Sequence, residues 1–128
     1  MQRFAHILMT SSTVTIWVRS KNTGLKTSHW LGDQTLRGLP AWKAAMTNFF
    51  DAFPDAAYTL NDLFFSGDKG VWRGTWQATQ RKDWEGIAAT GRKATWTVII
   101  IGRFEGEKLA EDWVEYDRYN LFRQLGAL

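Results

Sequence analysis

The chain has 128 residues, of which 45% are hydrophobic and 15% aromatic, with eight Trp and eight Phe. This length suits one domain, and so apolar a composition excludes a disordered chain. The net charge of +3 comes from sixteen basic and thirteen acidic residues, and the basic residues are too dispersed to form the stripe that nucleic-acid binding needs. Cysteine is absent, which excludes disulfides, thiolate nucleophiles and thiolate metal sites.

No apolar run approaches the roughly 20 residues that a membrane-spanning helix needs. The short apolar stretch near the start is interrupted by His6 and is shorter than the core of a secretory signal. We therefore expect a cytoplasmic protein that binds neither membrane nor nucleic acid. His6 and His29 lie far apart in the sequence and lack metal-ligand spacing, so we expect no metal site and no catalytic histidine.

The first elements are strands. Residues 13–18 alternate in a β-branched pattern, and residues 21–24 are typical of a turn. This pattern predicts extended chain over residues 13–31 and permits a hairpin with residues 25–31. A helix follows, because apolar residues recur at three- and four-residue spacing from Pro40 to Phe53, where Pro54 ends the pattern.

Four further strands are predicted over residues 57–65, 70–80, 94–104 and 109–116, and a short helix over residues 117–125 closed by Gly126. The short turns between most of these strands indicate an antiparallel meander. The chain is thus a single α+β domain, in which a curved sheet wraps the first helix. The pattern suits a ketosteroid-isomerase-like cone but also other α+β arrangements.

From Arg37 onward the sequence carries a series of ordered landmarks. They are Arg37-Gly38, Phe53-Pro54-Asp55, Gly67-Asp68-Lys69, Gly86-Ile87, Thr90-Gly91-Arg92, the segment 103–109, Trp113 with Asp117, and the segment 124–127. Through them the chain resembles the SnoaL-like polyketide cyclase or ester cyclase family, of the ketosteroid-isomerase-like, nuclear-transport-factor-2-like superfamily. Residues 1–36 diverge from the pair of helices with which that family usually begins.

The resemblance implies a cone-shaped antiparallel sheet around a hydrophobic pocket, and ring closure of a polyketide by aldol condensation without metal or organic cofactor. The family's general acid/base Asp matches Asp117, four residues after Trp113. Burial in a dry pocket would raise the pKa of such a carboxyl and make it a better proton acceptor. The alternative is that Asp117 only caps the helix that follows.

The other expected pocket residues follow from the family register and from strand alternation. Gln80 stands where the family has a His, and can hydrogen-bond a carbonyl but cannot shuttle protons. Trp113, Glu115 and Asp117 should share one strand face. The full set of expected substrate-pocket residues is Trp72, Trp76, Gln80, Trp96, Trp113, Glu115 and Arg103.

Each of these residues also has a structural interpretation. The tryptophans could be plain core, and Arg103 could form a strand-end ion pair with Glu105 or Asp112. Trp84, in a polar loop, is a candidate lid or a packing residue.

The sequence therefore predicts a cofactor-independent cyclase- or isomerase-like enzyme acting on a hydrophobic, carbonyl-bearing small molecule. The alternative is a non-catalytic module on the same fold that binds a small ligand or a protein partner. We expect a homodimer or a higher homo-oligomer, because the divergent N-terminal segment would leave the cone mouth uncovered.

Overall fold

The computed structural model describes residues 8–10 and 23–128. In this part of the chain, two helices accompany a seven-stranded sheet with the strand order β1-β4-β5-β6-β7-β2-β3. In chain order the elements are β1 (Leu8–Thr10), β2 (Thr23–Trp30), β3 (Gln34–Arg37), α1 (Leu39–Ala52), β4 (Ala57–Ser66), β5 (Lys69–Thr79), β6 (Lys93–Glu105), β7 (Lys108–Tyr116) and α2 (Arg118–Gln124).

The four strands β4 to β7 form the antiparallel meander that the sequence predicts. Gly67 and Gly106 occupy the two tight turns with φ of 59° and 64°, a region that glycine enters without steric cost. Each predicted strand boundary is within one residue of the observed one, because β-branched alternation and turn residues are local signals.

The N-terminal strands change the sheet from antiparallel to mixed. β2 pairs in parallel with β7 and antiparallel with β3, through a turn at residues 31–33. The prediction of extended chain is confirmed over residues 23–30, whereas residues 13–22 lie outside the described part. The parallel pairing was not predicted, because short turns dictate strand direction only between consecutive strands, and the whole meander separates β2 from β7.

Helix α1 packs on the inner face of the sheet. Pro40 lies in its first turn, and Phe53 follows its last residue just before Pro54. The Phe49 ring centroid lies 5.3 Å from that of Trp76 on β5, and Phe53 lies 5.8 Å from Trp96 on β6. Because α1 also contacts β2 and β3, the sheet must curve around it, as predicted. Phe53 is fully buried, which stabilises the fold by about 1.5 to 3 kcal/mol.

Strand alternation gives the sheet a distinct inner and outer face. On β6, Trp96 and Val98 are buried on the inner side, whereas Ile99 and Ile101 are exposed on the outer side. On β7, Val114 lies inside. No helix among the described residues has the length and apolarity to cross a bilayer.

Candidate active site

The inner face encloses a pocket of about 440 Å³, within the range of roughly 300 to 1,000 Å³ typical of small-molecule sites. Six of the seven tryptophans in the described part of the chain line this pocket. They come from five different elements or loops and are Trp30, Trp42, Trp72, Trp76, Trp84 and Trp96. Indole walls of this kind favour a flat, hydrophobic ligand that can stack on them.

A carboxyl group is buried in the wall of this pocket. Asp112 on β7 lines the cavity and is only 5% exposed, with the apolar side chains of Leu109 and Val114 on the same strand. The Ser28 hydroxyl on β2 donates a hydrogen bond to Asp112 Oδ1, and Trp30 Nε1 donates to Ser28 Oγ at 2.8 Å. The parallel pairing of β2 with β7 creates this arrangement, because it sets Ser28 directly beside Asp112.

The direction of these hydrogen bonds follows from the indole, which can only donate. Ser28 Oγ accepts from the indole of Trp30, so its own proton goes to Asp112 Oδ1. Burial raises the pKa of Asp112 to about 6, and the Ser28 hydrogen bond opposes that increase. Asp112 is therefore a carboxyl that can take up or release a proton near neutral pH.

A second polar group of the wall is a tyrosine hydroxyl. Tyr58 on β4 is 5% exposed, and its hydroxyl is the one buried side-chain polar atom in the described part of the chain that lacks a hydrogen bond. Burial also raises the pKa of this phenol, so the hydroxyl stays protonated as a donor.

Charged residues lie toward another part of the lining. Asp33, Glu85 and Arg118 contribute to it, and all three are exposed, which marks this end as the entrance. Their charges act on the half-buried Tyr116, where burial raises the phenol pKa, Arg118 lowers it, and Glu85 and Asp33 raise it. Within the described residues, no cluster of three or more His, Asp or Glu could hold a metal ion.

Comparisons with known proteins agree with this architecture. The family model for SnoaL-like polyketide cyclase matches residues 26–125. The chain belongs to the SnoaL-like polyketide cyclase family. Comparison with curated proteins returned no match.

Three solved structures illustrate the similarity. TsrD from Streptomyces laurentii is 34% identical, with a TM-score of 0.72 over 80% of this chain and 77% of that one. A proposed SnoaL-like polyketide cyclase from a Jannaschia species has a TM-score of 0.79 at 16% identity, covering 87% and 77% of the two chains. A SnoaL-like polyketide cyclase from Agrobacterium tumefaciens has a TM-score of 0.66 at 18% identity, covering 92% and 99%.

Three of the residues expected in the pocket of this SnoaL-like protein do line it. Trp72, Trp76 and Trp96 alternate inward on β5 and β6. Trp76 packs against Phe49, and Trp96 packs against both Phe49 and Phe53. These tryptophans therefore form both core and pocket wall, and the two interpretations are not exclusive.

Trp113, Glu115 and Arg103 lie outside the pocket, contrary to expectation. Trp113 stacks on His29 at 5.4 Å on the outer face, and Glu115 is exposed. Arg103 forms ion pairs with Glu105 at 2.9 Å and with Glu111 at 3.1 Å. The physical reason is side-chain alternation. On β7, Asp112 and Val114 point inward, so their sequence neighbours must point outward. Arg103 on β6 pairs in the register with the outward-pointing Glu111 and therefore lies on the same outer face.

Gln80 is fully buried but serves the loop rather than the cavity. Its side-chain amide donates to the carbonyls of Lys82 and Ile87 at 3.2 and 3.0 Å, and its carbonyl accepts from Thr90 at 3.0 Å. This residue therefore holds together the loop of residues 80–92, which carries the pocket-lining Trp84. Trp84 packs on Phe53 at 5.3 Å.

Asp117 caps helix α2 and does not line the pocket. Its carboxyl accepts from the Asn120 backbone at 3.1 Å and from the Asn120 side chain at 2.6 Å. These hydrogen bonds hold the pKa of Asp117 below its usual value. The expected inward orientation and raised pKa are therefore wrong, and the resemblance-based catalytic role stays a prediction to be tested by activity.

Three residues of the pocket wall were not predicted from the sequence. Asp112 had a usable signal, since the small or branched Ala110 and Val114 alternate with it and are typical of a buried strand face. Ser28 had none, because its partner lies 84 residues away in the chain. Tyr58 was within a predicted strand, but only the packed structure reveals that its hydroxyl lacks a partner.

Proposed function

We propose that this protein is a cofactor-independent, cyclase- or isomerase-like enzyme that acts on a flat, hydrophobic, carbonyl-bearing small molecule, with Asp112 as its general acid/base. Family membership supports the reaction class, and the six indoles support the flat apolar ligand. The observation that carries the choice of residue is the buried carboxyl in the pocket wall, held through one oxygen by Ser28.

The proposed chemistry uses Oδ2 of Asp112, the oxygen to which Ser28 does not donate. With a pKa of about 6, about nine in ten Asp112 side chains are ionised at pH 7. Oδ2 takes a proton from a carbon next to a substrate carbonyl and returns it at another position, while Ser28 stays bound to Oδ1. The apolar walls keep water away and hold the reacting carbons together.

A proton-exchange assay tests this proposal without the natural substrate. In deuterated buffer, NMR would follow loss of the α-proton signal of 1-tetralone, a flat bicyclic ketone. We expect the protein to accelerate this exchange, with a rate that rises through about pH 6 as Asp112 ionises. Asp112→Asn should lose about a hundredfold or more of the acceleration, the usual contribution of a general base.

Asp117→Asn is the matched control, because it makes the same change five residues away in the helix cap. It should retain full exchange activity. If Asp117→Asn lost the activity and Asp112→Asn kept it, the assignment to Asp112 would be wrong and that to Asp117 restored. Binding of the ketone without any accelerated exchange would favour the non-catalytic ligand-binding alternative.

We also propose that two copies of the chain pair through the outer face of the sheet. Phe64, Val71, Ile101 and Trp113 form one continuous row across β4 to β7 in the strand register. Phe64 is 59% exposed and Ile101 38%. Charges of both signs flank this row, such as the pair of Arg73 with Asp62, so the face is self-complementary for a twofold contact.

Light scattering at micromolar concentration tests this assembly. We expect a dimer, and Ile101→Lys should shift it toward monomer. Thr97→Lys places the same charge on the same face of β6, away from the apolar row, and should leave the dimer intact. A monomeric wild-type protein would contradict the proposal.

A further inference from the structure

The unpartnered hydroxyl of Tyr58 points to a second recognition site within the pocket. Buried polar side-chain atoms are almost always hydrogen-bonded in folded proteins. Among the described residues of this chain, the Tyr58 hydroxyl is the one exception, although the residue is 95% buried and lines the cavity. A polar atom left unpaired in an apolar wall is poorly solvated until a ligand supplies the missing partner.

The position of this hydroxyl is fixed by the strands beneath it. The Tyr58 ring leaves β4 and lies over Gly74 of β5, where any side chain would collide with the phenol oxygen. Trp76, its partner in the strand register, packs against the ring with centroids 5.0 Å apart. On the other side, the ring joins Val98 and Val114 in one buried cluster. The donor is therefore held in place over the middle of the sheet before any ligand binds.

The strand register offsets the hydroxyl from Asp112 along the sheet. It connects Asp112 with Gly102 and Gly70, and Gly74 lies four residues further along β5. Four steps along a strand offset these backbone positions by about 13 Å. A ligand that reaches both groups therefore extends along the strands and carries oxygen at two separate positions.

We propose that Tyr58 is a specificity-determining residue whose hydroxyl donates a hydrogen bond to a second oxygen of the substrate, a carbonyl or a ring hydroxyl, remote from the position at which Asp112 acts. The substrate class is then an elongated, flat aromatic molecule with oxygen substituents toward both ends. This inference deepens the proposed function, because it concerns the same pocket, but it concerns binding rather than proton transfer.

Binding of a matched ligand pair tests the inference by calorimetry. The probes are 6-hydroxy-1-tetralone and 1-tetralone, which share the ring skeleton and the carbonyl and differ in a hydroxyl at the opposite end. Wild-type protein should bind the hydroxylated ketone about two- to tenfold more tightly, as one net neutral hydrogen bond provides. Tyr58→Phe should abolish that preference while leaving the affinity for 1-tetralone unchanged.

Tyr116→Phe is the control, since it removes a hydroxyl from the same pocket wall and should retain the preference. The Tm of Tyr58→Phe should equal or exceed that of the wild type, because the removed hydroxyl has no partner among residues 8–10 and 23–128. A lower Tm would mean that the hydroxyl is a structural donor, and this would overturn the proposal.

Two other results would also overturn it: a wild-type protein without any preference for the hydroxylated ketone, or a preference that survives in Tyr58→Phe. The failure of the proposed function looks different. If Asp112→Asn left α-proton exchange unchanged, the general-base assignment would fail, whereas the ligand preference and its dependence on Tyr58 would be unaffected.

Discussion

The raised pKa of Asp112 makes a quantitative prediction about stability. Its pKa changes from 3.8 in the unfolded chain to about 6 in the folded protein, a difference of about 2.2 units, which corresponds to roughly 3 kcal/mol. Between these two values the unfolded chain releases the proton and the folded protein keeps it. The free energy of unfolding therefore decreases as the pH rises from about 4 to 6, and Asp112 has no further effect above about pH 7.

Asp112→Asn removes this pH dependence, because Asn does not ionise and its side-chain oxygen can still accept from Ser28. The unfolding free energy of the variant minus that of the wild type should increase by about 2 to 3 kcal/mol from pH 4 to pH 8. Urea unfolding at intervals over this range measures it, and subtraction cancels the contributions of all other groups.

Asp117→Asn provides an internal comparison of opposite sign. The folded-state pKa of Asp117 is lowered from 3.8, so its stabilisation is present above the unfolded pKa and is lost as the pH falls through the folded pKa. The variant should therefore become less stable relative to the wild type as the pH rises toward the unfolded value of 3.8, and the difference should change little at higher pH. A difference for Asp112→Asn that stays flat from pH 4 to pH 8 would refute the burial argument, and with it the reason for choosing Asp112 as the general base.

Two further predictions concern the residues that the family register assigned to the pocket. Asp117→Ala should lower the Tm by a few degrees, and Asp117→Asn should lower it by less, because Asn is also a good helix cap but lacks the charge of Asp; equal losses would argue against the cap. Gln80→Leu should lower the unfolding free energy by about 1 to 3 kcal/mol and accelerate hydrogen exchange in residues 81–92, because the carbonyl of Ile87 and the hydroxyl of Thr90 lose their partner. A protein that tolerates Gln80→Leu without either change would show that the loop does not depend on this residue.

The fold could be predicted from the sequence because its determinants are local. Pro40 and Pro54 bracket the first helix, and Gly67 and Gly106 mark the turns of the meander. The pairing of β2 with β7 could not be predicted, because no local pattern connects residues that are more than 80 positions apart.

The candidate site was less predictable, because it depends on which side chains of β7 point inward. The family register placed Trp113 inside on the same face as Asp117, but an indole can lie half-buried on an outer face when another ring stacks on it, as His29 does. Phasing the strand on Val114 would have identified Asp112. The three tryptophans of β5 and β6 do line the pocket, since no competing phase exists on those strands.

The same two strands hold different chemistry on their two faces. Ser28 pairs with Asp112 inside, while their sequence neighbours His29 and Glu111 form a 2.7 Å contact outside. Because side chains alternate, a one-residue insertion within either strand would turn that strand's outer side chains toward the pocket and separate both contacts. The two strands should therefore not tolerate insertions or deletions within them. Changes in length among natural variants should be confined to the hairpin turns.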